Sequence, residues 1–97
     1  SYVLAGTEAA MRHTFGSCCH GAGRVLSRTK AKKTIEFNAL MNRLHQRHIV
    51  VRSGSVKGLL EEAPEAYKDI ERVVGLVERV GISRCVARLE PLAVIKG

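Results

Sequence analysis

The sequence predicts an α+β fold, and three observations carry that prediction. Two stretches repeat apolar residues at helical spacing. Short apolar runs suited to strands lie near both ends. Helices and strands also fail to alternate in the regular rhythm of a doubly wound sheet. No element closes a complete sheet by itself, so the fold is expected to have mixed sheets and to be incomplete without further chain upstream. Isolated, such a piece is expected to aggregate or to stay partly disordered.

Residues 2–5 form a short apolar run ended by Gly6, which reads as a buried strand. Thr7 is placed to cap a helix running through Glu8, Ala9, Ala10 and Met11, which should stop near Phe15 and Gly16. The next stretch, 16–24, is built of small residues around one histidine and reads as a loop. A basic segment follows, with Arg24, Arg28, Lys30, Lys32 and Lys33. Phe37, Leu40, Met41 and Leu44 recur at i, i+3, i+4 and i+7, so 35–47 is expected to be an amphipathic helix. Residues 49–51 are β-branched and suggest a strand, and 53–58 suggest a flexible connection. In the polar stretch 61–69, Pro64 should hold Ala63 extended. Ile70, Val73, Val74, Val77 and Val80 mark a second helix closed by Gly81. The tail 83–96 reads as strand broken by Pro91, with the apolar residues 92–95 expected to form an anchored strand ahead of Lys96.

Composition narrows the function classes. The 97 residues are 45% hydrophobic and 26% charged, which argues for a folded chain of one modest domain. No run of about 18 apolar residues suggests a membrane span, and no secretory leader is visible. The net charge of +7 favours acidic partners such as nucleic acid or phosphates. Three cysteines, two of them adjacent, make a poor disulfide framework and suit a reducing, cytoplasmic setting. The opening Ser1 leaves three readings: a fragment, a processed product, or one piece of a divided protein.

The chemistry centres on His20-Gly21-Ala22-Gly23-Arg24. Glycine-flanked backbone lets N–H groups approach a phosphate closely, and Arg24 adds a forked donor. A histidine in such a cradle is placed to attack phosphorus or to move a proton. A tight turn with a structural histidine is an equally good reading of so short a pattern.

A longer set of motifs resembles the RtcB-type RNA-splicing ligases. Ser1-Tyr2-Val3-Leu4, Gly6-Thr7-Glu8, Thr14-Phe15-Gly16-Ser17, Cys19-His20-Gly21-Ala22-Gly23-Arg24 and Ser27-Arg28 are similar to one stretch of that family. The similarity resumes through the polar stretch 61–69, at Gly81-Ile82-Ser83, and at 91–97, so it spans the chain in family order. The resemblance implies that residues 1–97 are a C-terminal segment of a larger RtcB-like catalytic domain. It implies an activity that joins RNA 2′,3′-cyclic phosphate or 3′-phosphate ends to 5′-hydroxyl ends, in tRNA splicing and RNA repair. GTP and Mn²⁺ would be required, and the partners would be RNA (tRNA halves or broken RNA) and an archease-type activating protein. By position, His20 is similar to the histidine that becomes GMP-histidine. Gly21, Ala22 and Gly23 are similar to the loop lining the nucleotide phosphates. Ser1 matches a nucleotide-contacting serine, Tyr67 and Lys96 match residues that hold the guanine, and Arg24 and Arg28 would meet RNA or nucleotide phosphate. The metal ligands would lie upstream, with none in this segment. Cys18 departs from the family, which usually has Thr or Ser there.

Plainer readings stand beside these. Adjacent Cys18 and Cys19 with His20 make poor chelate geometry for zinc, and no second cysteine pair completes a site. His45 and His48, expected on one helix, read better as solvated surface beside Arg43 and Arg47. Glu61, Glu62 and Glu65 read better as a loop that positions Tyr67 than as an acid–base cluster. The competing function is a basic RNA- or nucleotide-binding module without catalysis, which would have no use for a nucleophile at His20.

Overall fold

The protein is described by a computed structural model covering residues 1–95. The elements run β1 (Tyr2–Gly6), α1 (Glu8–Thr14), α2 (Arg28–Thr34), α3 (Phe37–Gln46), α4 (Val56–Glu61), a 3₁₀ turn (Pro64–Ala66), α5 (Ile70–Arg79) and β2 (Ser83–Arg88). This is an α+β arrangement, as the sequence predicted. It divides into two compact units: residues 1–21 with the chain from Asp69 onward, and Ala22–Lys68.

In the first unit β1 and β2 pair antiparallel, with the register shifting between Val3 and Leu4. The pairing extends past β1, where Ser1 N donates to Leu89 O at 2.9 Å and Leu89 N to Ser1 O at 2.8 Å. Thr7 caps α1 as expected, its Oγ1 accepting from Ala10 N at 3.3 Å. The same hydroxyl also reaches the carbonyls of Gly81 and Ile82, tying the start of α1 to the turn that ends α5. α1 ends where expected, with Phe15 (φ 53°) and Gly16 (φ 74°) both left-handed. Asp69 caps α5, and Gly81 (φ 76°) closes it, Gly81 N donating to Glu78 O and Ile82 N to Val77 O. An Arg88–Glu71 ion pair at 2.8 Å joins β2 to α5.

The second unit packs around Leu40, Leu60 and Ala63, with Ile35, Phe37, Leu44 and Leu59 against them. The amphipathic helix expected over 35–47 is α3, capped by Glu36, which accepts from Asn38 N at 3.0 Å and Ala39 N at 2.5 Å. The basic segment turns out to be helical: Ser27 caps α2, which buries only Ala31 and keeps its charges outside.

Four expectations are corrected. Residues 49–51 are not a strand: Ile49 N instead closes the end of α3 on Leu44 O, and among the described residues no other segment pairs with them as a ladder. The connection expected over 53–58 contains the start of α4, with Ser55 Oγ accepting from Gly58 N. Residues 92–95 form no strand, and Leu92 and Ile95 are fully exposed. His48 lies beyond α3 at φ 57°, so only His45 of that pair is helical. Ala63 is extended (φ −59°, ψ 142°), as Pro64 requires.

Candidate functional site

The loop after α1 is anchored at its entry. Thr14 Oγ1 donates within reach of both Ala10 O (3.0 Å) and Ser17 O (2.6 Å), and Ser17 N donates to Thr14 O at 2.9 Å. A side chain at Gly16 would need a left-handed backbone and would bring its Cβ to 2.8 Å from Met11 Sδ. These constraints hold the chain up to Ser17, and Cys18, Cys19 and His20 follow directly. Cys18 Sγ lies 3.8 Å from the hydroxyl of buried Ser83 and 4.0 Å from Cys19 Sγ. All three cysteines are free thiols. Burial, followed by the neighbouring Cys18 thiol, pushes the Cys19 thiol up from its ordinary range.

His20 is exposed, in irregular backbone. A Cβ added at Gly21 would meet nothing within 4 Å, so among the described residues the backbone there borders open space. The chain passes from the first unit to the second after Gly21. Ala22 is half-buried, and Gly23 adopts φ 75°, a conformation that favours glycine. Its carbonyl accepts from Lys68 N at 2.9 Å, while Val25 N and Leu26 N both donate to Ala66 O. Arg24 and Tyr67 thus face each other in an isolated antiparallel bridge.

That bridge brings together residues distant in sequence. The Arg24 guanidinium lies 4.8 Å from the centre of the Tyr67 ring. Its Nη1 donates to Tyr67 Oη at 3.0 Å, Nη2 to Glu61 O at 2.6 Å, and Nε to Leu26 O at 3.0 Å. Tyr67 Oη in turn donates to Glu62 at 2.6 Å, and the same carboxylate lies 3.7 Å from Arg24. Glu62 thus helps to orient Tyr67, in line with the reading of this acidic stretch as a positioning loop. Glu61 pairs with Lys32 at 2.6 Å and Arg28 at 3.6 Å, and Glu65 pairs with Arg43. Sequence reasoning named Arg24 and Tyr67 separately but missed that one fixes the other. No local spacing signals a contact across 43 residues.

Ser1 sits at the edge of the β1–β2 pair, its backbone engaged with Leu89. Lys96 lies outside the described residues. Among the described residues, no three His, Cys, Asp or Glu side chains gather as a metal site. No described helix is long and apolar enough to cross a membrane.

The chain is thus a basic α+β segment with an exposed histidine just before Gly21. The chain belongs to the RtcB family: a family model described as tRNA-splicing ligase RtcB matches residues 1–97. It is 53% identical over its whole length to the tRNA-splicing ligase RtcB of Thermococcus kodakarensis, covering 20% of that relative. It is 54% identical to that of Archaeoglobus fulgidus, again covering 20%. It is 52% identical to that of Pyrococcus furiosus, covering 10%. The chain therefore spans about a tenth to a fifth of the length of these curated relatives.

Proposed function

We propose that this chain is the nucleotide-accepting segment of an RNA ligase, with His20 the residue that takes GMP from GTP. Family membership over the whole chain supports the ligase class. The observation that carries the residue assignment is the exposure of His20 beside open backbone at Gly21. His13 and His45 are built into α1 and α3, and His48 lies between Arg47 and Ile49 with no glycine beside it.

In this reading a neutral imidazole nitrogen of His20 attacks the α-phosphorus of GTP. The N–P bond forms as the bond to pyrophosphate breaks, and the ring sheds a proton to solvent. An RNA 3′-phosphate oxygen then attacks the same phosphorus and releases the histidine, leaving the RNA end activated by GMP. The 5′-hydroxyl of the second RNA attacks that end, and GMP departs. The backbone at Gly21, Ala22 and Gly23 lies against the nucleotide phosphates, and Ser1, Tyr67 and Lys96 hold the nucleoside. Bound Mn²⁺, on ligands outside this segment, supplies charge neutralisation during phosphoryl transfer.

The basic residues divide by how firmly they are held. Arg28 is 70% exposed and its pairing with Glu61 at 3.6 Å is loose. Such pairs contribute about 0–1 kcal/mol, so Arg28 can readily exchange its carboxylate for an RNA phosphate. Arg24 uses three donors to hold its own unit together, leaving the rest of its fork for a phosphate. RNA ends, GTP and an archease-type protein are the partners this reading entails.

The test uses the full-length ligase with Mn²⁺ and α-labelled GTP, read on a denaturing gel. His20→Ala and His20→Asn should reduce protein label to background. The wild-type bond should be acid-labile and base-stable, as a phosphoramidate is. Both variants should still seal RNA that already carries a 3′-guanylate. Wild-type labelling of His20→Ala would place the nucleophile elsewhere.

A further inference from the structure

We propose that Cys18 and Cys19 form a reversible oxidation site, closing under peroxide to a disulfide between neighbouring residues that displaces His20. The two sulfurs lie 4.0 Å apart, and both are free thiols. Cys18 is exposed and Cys19 half-buried, so peroxide meets Cys18 first. The Cys18 thiol donates toward the buried Ser83 hydroxyl at 3.8 Å, which holds its sulfur in place beside Cys19. Shielding of Cys19 suits it to the second role, as the thiol that resolves the oxidised neighbour.

The step balances with one peroxide. Cys18 sulfur attacks an oxygen, an S–O bond forms as the O–O bond breaks, and water leaves with a sulfenic acid behind. Cys19 sulfur then attacks Cys18 sulfur. The S–S bond forms, the S–O bond breaks, and the departing hydroxide takes the Cys19 proton to leave as a second water. Two thiols lose two electrons and the peroxide gains them.

The consequences follow from geometry. Neighbouring Cα atoms across a trans peptide are about 3.8 Å apart, below the roughly 4.4 Å at which ordinary disulfides begin. The sulfurs must also close from 4.0 Å to about 2.0 Å. The resulting ring is strained, hence easily reduced, which makes the modification reversible. The strain is passed in one direction. Upstream, Ser17 is held by two hydrogen bonds to Thr14, whereas His20 downstream is exposed. The backbone entering His20 therefore moves. Misplacing a reacting atom by about 1 Å can cost on the order of a hundredfold in rate.

The coupling to His20 rests on the proposed guanylylation, but formation of the disulfide does not. The experiment treats the full-length protein with low peroxide and follows the tryptic peptide 13–24, which holds both cysteines and His20. Expected is a peptide two hydrogens lighter, resistant to alkylation, and restored by a thiol reductant. Cys85→Ser should behave the same. A peptide that only gains oxygen, or that is found linked to Cys85 or to a second molecule, overturns the proposal. In parallel, GMP labelling of the wild type should fall about a hundredfold on oxidation and recover on reduction. Cys18→Ser should keep its labelling under the same peroxide, and loss of label in that variant overturns the coupling. Failure of the reduced wild type to label at all would sink the guanylylation reading and leave the disulfide result standing.

Discussion

Arg24→Met removes the guanidinium that closes the second unit while keeping most of the aliphatic stem, so it isolates the hydrogen bonds from the packing. Three are lost: to Leu26 O at 3.0 Å, to Tyr67 Oη at 3.0 Å and to Glu61 O at 2.6 Å. Hydrogen bonds to a charged group contribute about 1.5–3 kcal/mol each, and the stacking on Tyr67 adds about 0.5–1 kcal/mol. The Arg24 side chain is 24% exposed, so water can replace part of what is removed. Allowing for that and for non-additivity, the expected cost is about 3 kcal/mol, at the upper end for a single substitution. Amide hydrogen exchange in the full-length protein reads it locally. Val25, Leu26 and Lys68 amides, which bond to Ala66 O and Gly23 O, should exchange on the order of a hundredfold faster. Amides of the β1–β2 pair, in the other unit, should keep their protection. Arg24→Lys should not restore the slow exchange, because an ammonium cannot reach three separated acceptors as a planar fork does. Unchanged protection in Arg24→Met would refute the view that Arg24 fixes Tyr67.

Leu40→Ala empties the centre of the second core, where Leu40 is 1% exposed, and should destabilise that unit by about 2–5 kcal/mol, measured by denaturant unfolding. Glu36 is held below the usual carboxylate range by the backbone N–H groups of Ala39 and Asn38. A depressed folded pKa means that its capping stabilisation is present above the ordinary Glu value of about 4.3 and is lost as pH falls through the folded pKa. A carbon-13 carboxyl titration should show Glu36 titrating below the ordinary Glu value, and Glu36→Gln should weaken protection of the α3 amides at neutral pH; an ordinary titration point would remove the charged cap. Lys96→Ala should weaken GTP use and erode the preference over ATP in the complete enzyme, since an ammonium can donate to the O6 acceptor of guanine. Unchanged discrimination would take Lys96 out of the site.

What the sequence determined by itself is what short-range physics controls. Apolar spacing marked α3 and α5, Thr7 marked the start of α1, and the small residues around His20 marked its loop. Each of these depends on a few neighbouring residues and survives almost any tertiary context. The basic helix α2 escaped because it buries only Ala31 and so leaves no apolar stripe; the Ser27 cap was the one local sign of it. The expected strand at 49–51 failed for the opposite reason. β-branched residues favour extended backbone, but a strand exists only where another chain offers a ladder, and here that position ends α3. The apolar run at 92–95 likewise signals burial that the described residues do not provide. Tertiary structure alone decided that Arg24, Glu62 and Tyr67 form one network, and that the Cys18 thiol sits beside the Ser83 hydroxyl. The Arg24–Tyr67 and Cys18–Ser83 contacts join positions 43 and 65 residues apart, and only chain closure brings such positions within hydrogen-bonding reach.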